Sequence, residues 1–234
     1  GGAARGATAR GGVSVIIVLS SPVDGLDAVV EGIRTKEEAS IAEVDVTDMR
    51  AVRGAVQERA PKAVVLAAWR DAAGAEEDAD LAFRVSSEAA INLAAAALEF
   101  GCVPVFLSVA DVFAQGGGPF SADDVPQPAT ALAEAALRGE TFLTRASRGR
   151  GLIVRSGPWI ESIEAEVRRG EGAPSGSVVS PIRAYDLGAT LTAWLERTGV
   201  VHAASSVWAP IEEVYAEAAT RAARADTPPS SPAE

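Results

Sequence analysis

Short, continuous apolar stretches alternate along this chain with longer segments in which apolar residues recur every three or four positions. The short stretches are rich in Val, Ile and Leu, and they predict strands that are buried on both faces. Such strands are predicted at 13–19, 40–44, 63–68, 103–108, 151–155 and 200–203. The longer segments predict amphipathic helices at 26–34, 49–59, 80–100, 130–147, 184–197 and 211–224.

This alternation is typical of βαβ units, so the sequence predicts an α/β fold with a doubly wound parallel sheet. We expect one domain over 13–225 with small C-terminal cap elements from about residue 156 on, within the 234 residues of the chain. The Gly-rich segment 1–12 and the Pro/Ser-rich segment 226–234 are predicted to be flexible. In doubly wound sheets, ligands bind beyond the carboxyl ends of the strands, and the candidate chemistry is therefore sought there.

Composition narrows the classes of function. Lys and Arg number 21 against 32 Asp and Glu, and the net charge of −11 opposes binding to nucleic acid. One Cys and one His cannot form an internal disulfide or a structural zinc site, so no metal site is predicted. The apolar runs are too short to span a membrane, and we expect a soluble, cytoplasmic protein.

The turn after the first strand lacks the glycines that let a backbone approach a pyrophosphate. Only Gly25 remains in Ser20-Ser21-Pro22-Val23-Asp24-Gly25, and Asp24 adds a negative charge near the start of the helix. We interpret this segment as a turn in which Asp24 caps the helix, and a nicotinamide dinucleotide is disfavoured.

Polar and aromatic residues follow the next strands. Trp69 can stack on a planar ligand or pack at the sheet edge, and Arg70 can bind an anion or remain solvated. Asp111 can act as an acid or base or can cap a turn. The candidate catalytic residues are Asp111, Arg70 and Ser108, and the candidate substrate-binding residues are Trp69, Asp71, Glu140 and Trp159. His202 is predicted to be a structural histidine of the core or of the sheet edge, and Cys102 an inert buried thiol.

Several segments, taken in order, resemble one known family. They are Asp45-Val46-Thr47-Asp48, Ala82-Phe83-Arg84-Val85-Ser86, Ser108-Val109-Ala110-Asp111-Val112-Phe113, Gly139-Glu140, Arg155-Ser156-Gly157-Pro158-Trp159, Ser180-Pro181-Ile182-Arg183-Ala184-Tyr185-Asp186-Leu187 and Gly199-Val200-Val201-His202. In this order they are similar to the dTDP-4-dehydrorhamnose reductase type of the extended short-chain dehydrogenase/reductase superfamily. The resemblance implies a Rossmann-like fold and, in that family, contact between Asp45 and Val46 and the adenine of the cofactor.

The chain departs from the family at the residues that carry its chemistry. Counting back from Gly139-Glu140, the resemblance places the family's catalytic tyrosine and lysine at Leu132 and Ala136, and its hydroxyl residue at Val109. The stretch 35–42 is too short for a clear second strand with a ribose-binding acid, and the short stretch 160–179 implies a reduced substrate-capping region.

These departures favour a protein that has lost NAD(P)-dependent redox chemistry and needs no dinucleotide cofactor. We expect a cofactor-independent enzyme that cyclises, eliminates or isomerises a small molecule in specialised metabolism. The alternatives are a non-catalytic partner subunit, and an NAD(P)-dependent nucleotide-sugar reductase or epimerase with an unusual site. A small-molecule ligand is expected in the enzymatic cases, and a second copy or a different protein is compatible as a partner.

Overall fold

A parallel sheet forms the centre of the molecule in the computed structural model, which describes residues 15–20, 23–67, 72–113, 119–174 and 176–225. The strands are β1 (Val15–Ser20), β2 (Glu38–Glu43), β3 (Ala63–Leu66), β4 (Val103–Val109), β5 (Leu152–Ser156), β6 (Val178–Val179), β7 (Gly199–Ala203) and β8 (Ala209–Pro210). Six of them form the sheet in the order β2-β1-β3-β4-β5-β7, while β6 and β8 make a separate antiparallel pair. The direction of strand addition reverses between β1 and β3, and the predicted doubly wound fold is confirmed.

Helices cover both faces of the sheet. They are α1 (Leu26–Arg34), α2 (Met49–Arg59), α3 (Ala72–Glu77), α4 (Ala79–Phe100), α5 (Ala131–Ala146), α6 (Ile160–Arg168), α7 (Ala184–Leu191) and α8 (Ile211–Ala225). Helices α2, α4 and α5 share one apolar core with the sheet, and α1 and α7 share the other. All residues of β3 and β5, and all but the first residue of β4, are buried, as their continuous apolar sequences predict.

Local side chains set the starts of the major helices. Asp48 accepts a hydrogen bond from the backbone of Arg50 at the start of α2, and Thr130 accepts one from Ala133 at the start of α5. Asp78 caps α4 in the same way. Among the described residues, α4 is long and apolar enough to cross a membrane by length and composition, but it packs in the core against α2 and α5.

Strand β2 corrects one expectation from the sequence. The stretch 35–42 is long enough for a clear strand, because β2 begins at Glu38, two residues before the predicted strand 40–44, and all six of its residues pair with β1. Because β2 is an outer strand, only Ala39 and Ala42 are buried and its two ends are the exposed Glu38 and Glu43, so a continuous apolar run is absent.

The segment after β5 also differs from the predicted pattern. Helix α6 was not predicted, because Ile163 is its one fully buried residue and charged residues fill most of its surface. Helix α7 ends at Leu191 and continues as a 3₁₀ turn over Thr192–Trp194, which the apolar spacing does not distinguish from an α-helix. Helices α6 and α8 pack together around Ile163, Ile211 and Val214 as a small apolar cluster of their own.

Candidate functional site

The reversal of strand order between β1 and β3 marks the crevice where a ligand is expected. The predicted candidates Trp69, Arg70 and Asp71 come shortly after β3 in the sequence, and they lie outside the described residues. On the β1 side, the structure describes the turn from Val23 onward.

Asp24 does not cap α1, and that expectation is wrong. Gly25 occupies the cap position with a left-handed φ of 82° and without a side-chain hydrogen bond. The Asp24 carboxylate instead pairs with Arg169 Nη1 at 2.6 Å, and its carbonyl oxygen accepts a hydrogen bond from Ser162 Oγ at 2.7 Å. The turn is therefore tied to α6 and to the residue that follows it, in the region where a pyrophosphate would approach the helix.

The turn after β2 is held by its own side chains. Asp45 Oδ1 accepts hydrogen bonds from Thr47 Oγ1 at 2.6 Å and from the Thr47 backbone N–H at 2.9 Å. The bond from the Thr47 hydroxyl, followed by the backbone bond, keeps the pKa of the Asp45 carboxyl below its ordinary value. The buried Asn92 of α4 donates to the carbonyl oxygens of Val46 and Thr47 at 3.0 and 2.9 Å, so α4 fixes the position of the turn.

A cavity of about 320 Å³ opens beside this turn. Its walls are the turn after β2 and the first half of α4, and it is lined by Asp45, Val46, Thr47, Leu81, Arg84, Val85 and Glu88. The cavity combines an apolar wall with one cation and two carboxylates. The family resemblance implies that Asp45-Val46 contacts adenine, and this segment lies at an open cavity.

The end of β4 presents apolar side chains. Val109 and Ala136 belong to one buried cluster with Val112 and Phe113, and Leu132 is 7% exposed in a neighbouring cluster. Asp111 lies in the 3₁₀ turn Ala110–Val112 directly after β4, and its side chain is exposed.

Ser108 and Glu140 take part in a buried polar network. Ser108 Oγ donates to Glu140 Oε1 at 2.6 Å, and Arg155 donates from Nε to Oε1 at 2.9 Å and from Nη2 to Oε2 at 2.7 Å. Glu140 and Arg155 are 4% and 5% exposed. Both oxygens of the carboxylate are therefore engaged, and a substrate reaches Glu140 only after a rearrangement.

Trp159 is also part of the interior. It is 1% exposed, and its indole N–H donates to Ser156 Oγ at 3.1 Å. Cys102 is buried as predicted, and burial raises the pKa of its thiol to about 11, so the thiol stays protonated at neutral pH.

Sequence reasoning missed one polar group. Arg155 and His202 are paired residues of β5 and β7, and each has a buried nitrogen that lacks a hydrogen-bond partner in the part of the chain that the structure describes. The sequence does show one polar residue near the end of each of these two apolar strands. Such a residue is equally compatible with a structural role, so the pattern alone does not indicate a polar site.

Comparisons with known proteins agree with the observed fold. A curated dTDP-4-dehydrorhamnose reductase from Streptomyces griseus is 36% identical over 115 residues, which cover 48% of this chain and 38% of the relative. The chain thus matches less than half the length of that protein.

Solved structures share the fold. A dTDP-4-dehydrorhamnose reductase from Clostridium acetobutylicum superposes with a TM-score of 0.75 at 21% identity, covering 87% of this chain and 79% of that one. The Bacillus anthracis reductase, solved in complex with NADP, has a TM-score of 0.73 at 20% identity, with 92% and 83% covered. A UDP-glucose 4-epimerase from Thermus thermophilus, solved with NAD, has a TM-score of 0.70 at 16% identity, with 89% and 83% covered.

The family assignment rests on a match over more than half of the chain. The model of the RmlD substrate binding domain matches residues 22–163, from the β1–α1 turn to α6, and so includes the cavity at Asp45 and the polar network at Glu140. The chain belongs to the RmlD substrate-binding domain family.

Proposed function

We propose that this chain binds an adenine-bearing nucleotide, NAD(P) included, in the cavity beside Asp45, and that it does not transfer hydride with the acid–base groups of its family. The proposed absence of hydride transfer rests on one observation, the apolar character of three positions. Val109, Leu132 and Ala136 stand where the resemblance places a hydroxyl residue, a tyrosine and a lysine, and all three are buried.

The cavity supports the nucleotide half of the proposal. It lies at the carboxyl end of β2 and is formed by the segment in which the family resemblance places adenine contact. Relatives solved with NADP and with NAD favour a dinucleotide as one such ligand, so the expectation from sequence that no dinucleotide binds is not carried forward.

The turn after β1 supports weaker contact with the phosphates than with the adenine. The Asp24 carboxylate repels a pyrophosphate near the N-terminus of α1, and α6 holds this turn through Arg169 and Ser162. We therefore expect most of the binding free energy to come from the adenosine end.

Calorimetric titration with AMP and NADPH tests the binding site. Val85→Trp fills the cavity from its α4 wall, so it should weaken binding of both ligands at least tenfold, roughly 1.4 kcal/mol or more. Ile91→Trp places the same side chain at an exposed position of α4 outside the cavity lining and should leave both affinities unchanged. Binding that survives Val85→Trp would place the nucleotide elsewhere.

The proposed absence of hydride transfer is tested with dTDP-4-dehydrorhamnose, the substrate named for the relatives. With dTDP-4-dehydrorhamnose and NADPH, we expect no NADPH oxidation above background, because each missing acid–base group lowers the rate by about 10²–10⁴. Steady turnover would instead establish the second candidate function, an NAD(P)-dependent nucleotide-sugar reductase with an unusual site, which the family assignment and the structural relatives favour.

Asp111 is the proposed base for a reaction without nicotinamide, because it is an exposed carboxylate directly after a central strand. A base of this kind removes a hydrogen from the carbon next to the carbonyl group of dTDP-4-dehydrorhamnose. In D₂O that hydrogen is replaced by deuterium, and NMR measures the rate of this exchange. Asp111→Asn should lower the exchange rate by about 10² while the melting temperature stays the same. A rate unchanged by Asp111→Asn, together with lower stability, would make Asp111 a turn-capping residue.

A further inference from the structure

The carboxyl ends of β5 and β7 carry a second polar group, far from the nucleotide cavity. Arg155 and His202 are directly paired residues of these parallel strands, so their side chains stand next to each other on one face of the sheet. The cavity at Asp45 follows β2, at the other outer edge of the sheet, four strand intervals from β5 and five from β7, or about 19–24 Å.

Arg155 contributes a free hydrogen-bond donor. Its Nε and Nη2 are satisfied by Glu140, but Nη1 is buried and lacks a partner among the described residues. Because a buried N–H group without an acceptor destabilises the protein, this nitrogen favours any oxygen that can reach it.

His202 contributes a free acceptor. Burial, and then the charge of Arg155, lower the pKa of its imidazole, so the ring is neutral at pH 7. A hydrogen bond with the backbone of Phe120, and the charges of Glu140 and Asp124, act in the opposite direction. Nε2 is buried without a partner in the described structure, so Nδ1 is the nitrogen left to donate to Phe120. Nε2 of that tautomer accepts a hydrogen bond.

Two aromatic rings cover the pair. The Phe113 ring lies 5.1 Å from the guanidinium carbon of Arg155 and 5.6 Å from the ring of His202. Phe120 stacks on Phe113 at 4.5 Å and is 38% exposed, so it forms the outer wall. Outward movement of the Phe120 ring would give a ligand access to the two nitrogens.

We propose that Arg155 Nη1 and His202 Nε2 together bind one hydroxyl group of a small neutral ligand. A hydroxyl oxygen accepts from the guanidinium and donates its own hydrogen to the imidazole, which a carboxylate, an ionised phosphate or a carbonyl cannot do. The aromatic wall suits a ligand with an apolar face, such as a phenol or the C–H face of a sugar ring. The inference is independent of the nucleotide site.

The chain's single histidine makes a direct test feasible, because a long-range ¹H–¹⁵N NMR spectrum contains one imidazole. Phenol, glucose and glycerol are titrated separately, to distinguish an aromatic alcohol, a sugar and a simple polyol. At least one should shift the Nε2 resonance saturably and lower the pKa of His202, since the bound hydroxyl stabilises the neutral ring. Anisole resembles phenol but cannot donate a hydrogen bond, and it should leave the resonance unchanged.

Three variants sharpen the test. Phe120→Ala removes the exposed outer wall and should tighten binding of the active probe at least threefold. Arg155→Lys keeps the charge but removes Nη1, and it should abolish the saturable shift if the protein stays folded. Val85→Trp, which closes the nucleotide cavity, should leave the response of His202 intact, so failure of the nucleotide proposal is separable from failure of this one.

Two results would overturn the inference. One is the absence of a saturable shift with all three hydroxyl probes in both the wild-type protein and Phe120→Ala. The other is an equal shift with phenol and anisole. Either result would mean that the two nitrogens do not bind the hydroxyl group of a ligand.

Discussion

Glu140 and Arg155 form an ion pair inside the molecule, and each depends on the other. Two hydrogen bonds join them, and Ser108 adds a third to the carboxylate. At 5% side-chain exposure on both sides, water cannot replace either partner. Removal of one charge therefore leaves the other uncompensated in the interior.

Glu140→Gln tests this dependence. The amide keeps the shape of the side chain but leaves the Arg155 charge unpaired, and we expect a loss of about 3–5 kcal/mol in the free energy of unfolding. Glu99→Gln is the matched control, because Glu99 pairs with Arg53 on the surface, with side chains 43% and 49% exposed. It should change stability by less than about 1 kcal/mol in urea denaturation. Equal effects of the two variants would contradict the argument.

Helices α1 and α7 approach so closely that their backbones touch. A Cβ added at Gly188 would stand 1.9 Å from the Val29 carbonyl oxygen, and one at Gly32 would stand 2.0 Å from the Tyr185 carbonyl oxygen. Only glycine fits at this crossing, which buries Val29, Ile33 and Leu187 completely. The two glycines therefore determine how α7 seats on the sheet beside α1.

Gly188→Ala should force the two helices apart. Because the obstacle is backbone, we expect a loss of more than about 3 kcal/mol, at or beyond the upper end of overpacking effects. Gly54→Ala in α2 is the control, since an added Cβ there meets no atom of the described residues within 4 Å. It should stabilise the protein by up to about 1 kcal/mol, because alanine favours a helix. Thermal and urea unfolding compare the two, and a Gly188→Ala protein as stable as the wild type would refute the crossing.

At the scale of the whole molecule, α6 connects the C-terminal elements to the β1–α1 turn. Arg169, just after α6, pairs with Asp24, while Glu166 of α6 accepts a hydrogen bond from the Tyr215 hydroxyl of α8. Burial raises the pKa of Glu166, and the negative charges of Glu171 and Asp24 add to this, against the Tyr215 hydrogen bond and Arg169.

This raised pKa makes stability depend on pH. A carboxyl group that binds its proton more tightly in the folded state stabilises that state at low pH, and the contribution is lost as pH rises from the ordinary value of 4.5 through the raised pKa. Glu166→Gln mimics the protonated form. Its free energy of unfolding, relative to the wild type, should therefore increase as pH rises from 4 to 8. Glu58→Gln, at an exposed position of α2, should show no such trend. A constant difference between wild type and Glu166→Gln would refute the shift.

The sequence by itself determined the features that depend on neighbours along the chain. Apolar runs and helical periods predicted the doubly wound sheet, because strands that are buried on both faces consist of consecutive apolar residues. The family resemblance indicated Asp45-Val46 as the adenine-contact segment, and the structure places this segment at a cavity. The caps Asp48 and Thr130 likewise act within three residues of the chain, so they depend only on sequence neighbours.

Only the tertiary structure decided which distant residues meet. Asp24 reads as a helix cap in sequence, but the fold brings it to Arg169, 145 residues away. Glu140 reads as a cleft residue, yet the seating of α5 on β4 and β5 turns it inward onto Arg155. The pairing of β5 with β7 sets Arg155 beside His202, and one nitrogen of each has no hydrogen-bond partner among the residues that the structure describes. Contacts between side chains that are far apart in sequence depend on strand order and helix packing. No local pattern of residues specifies either of these.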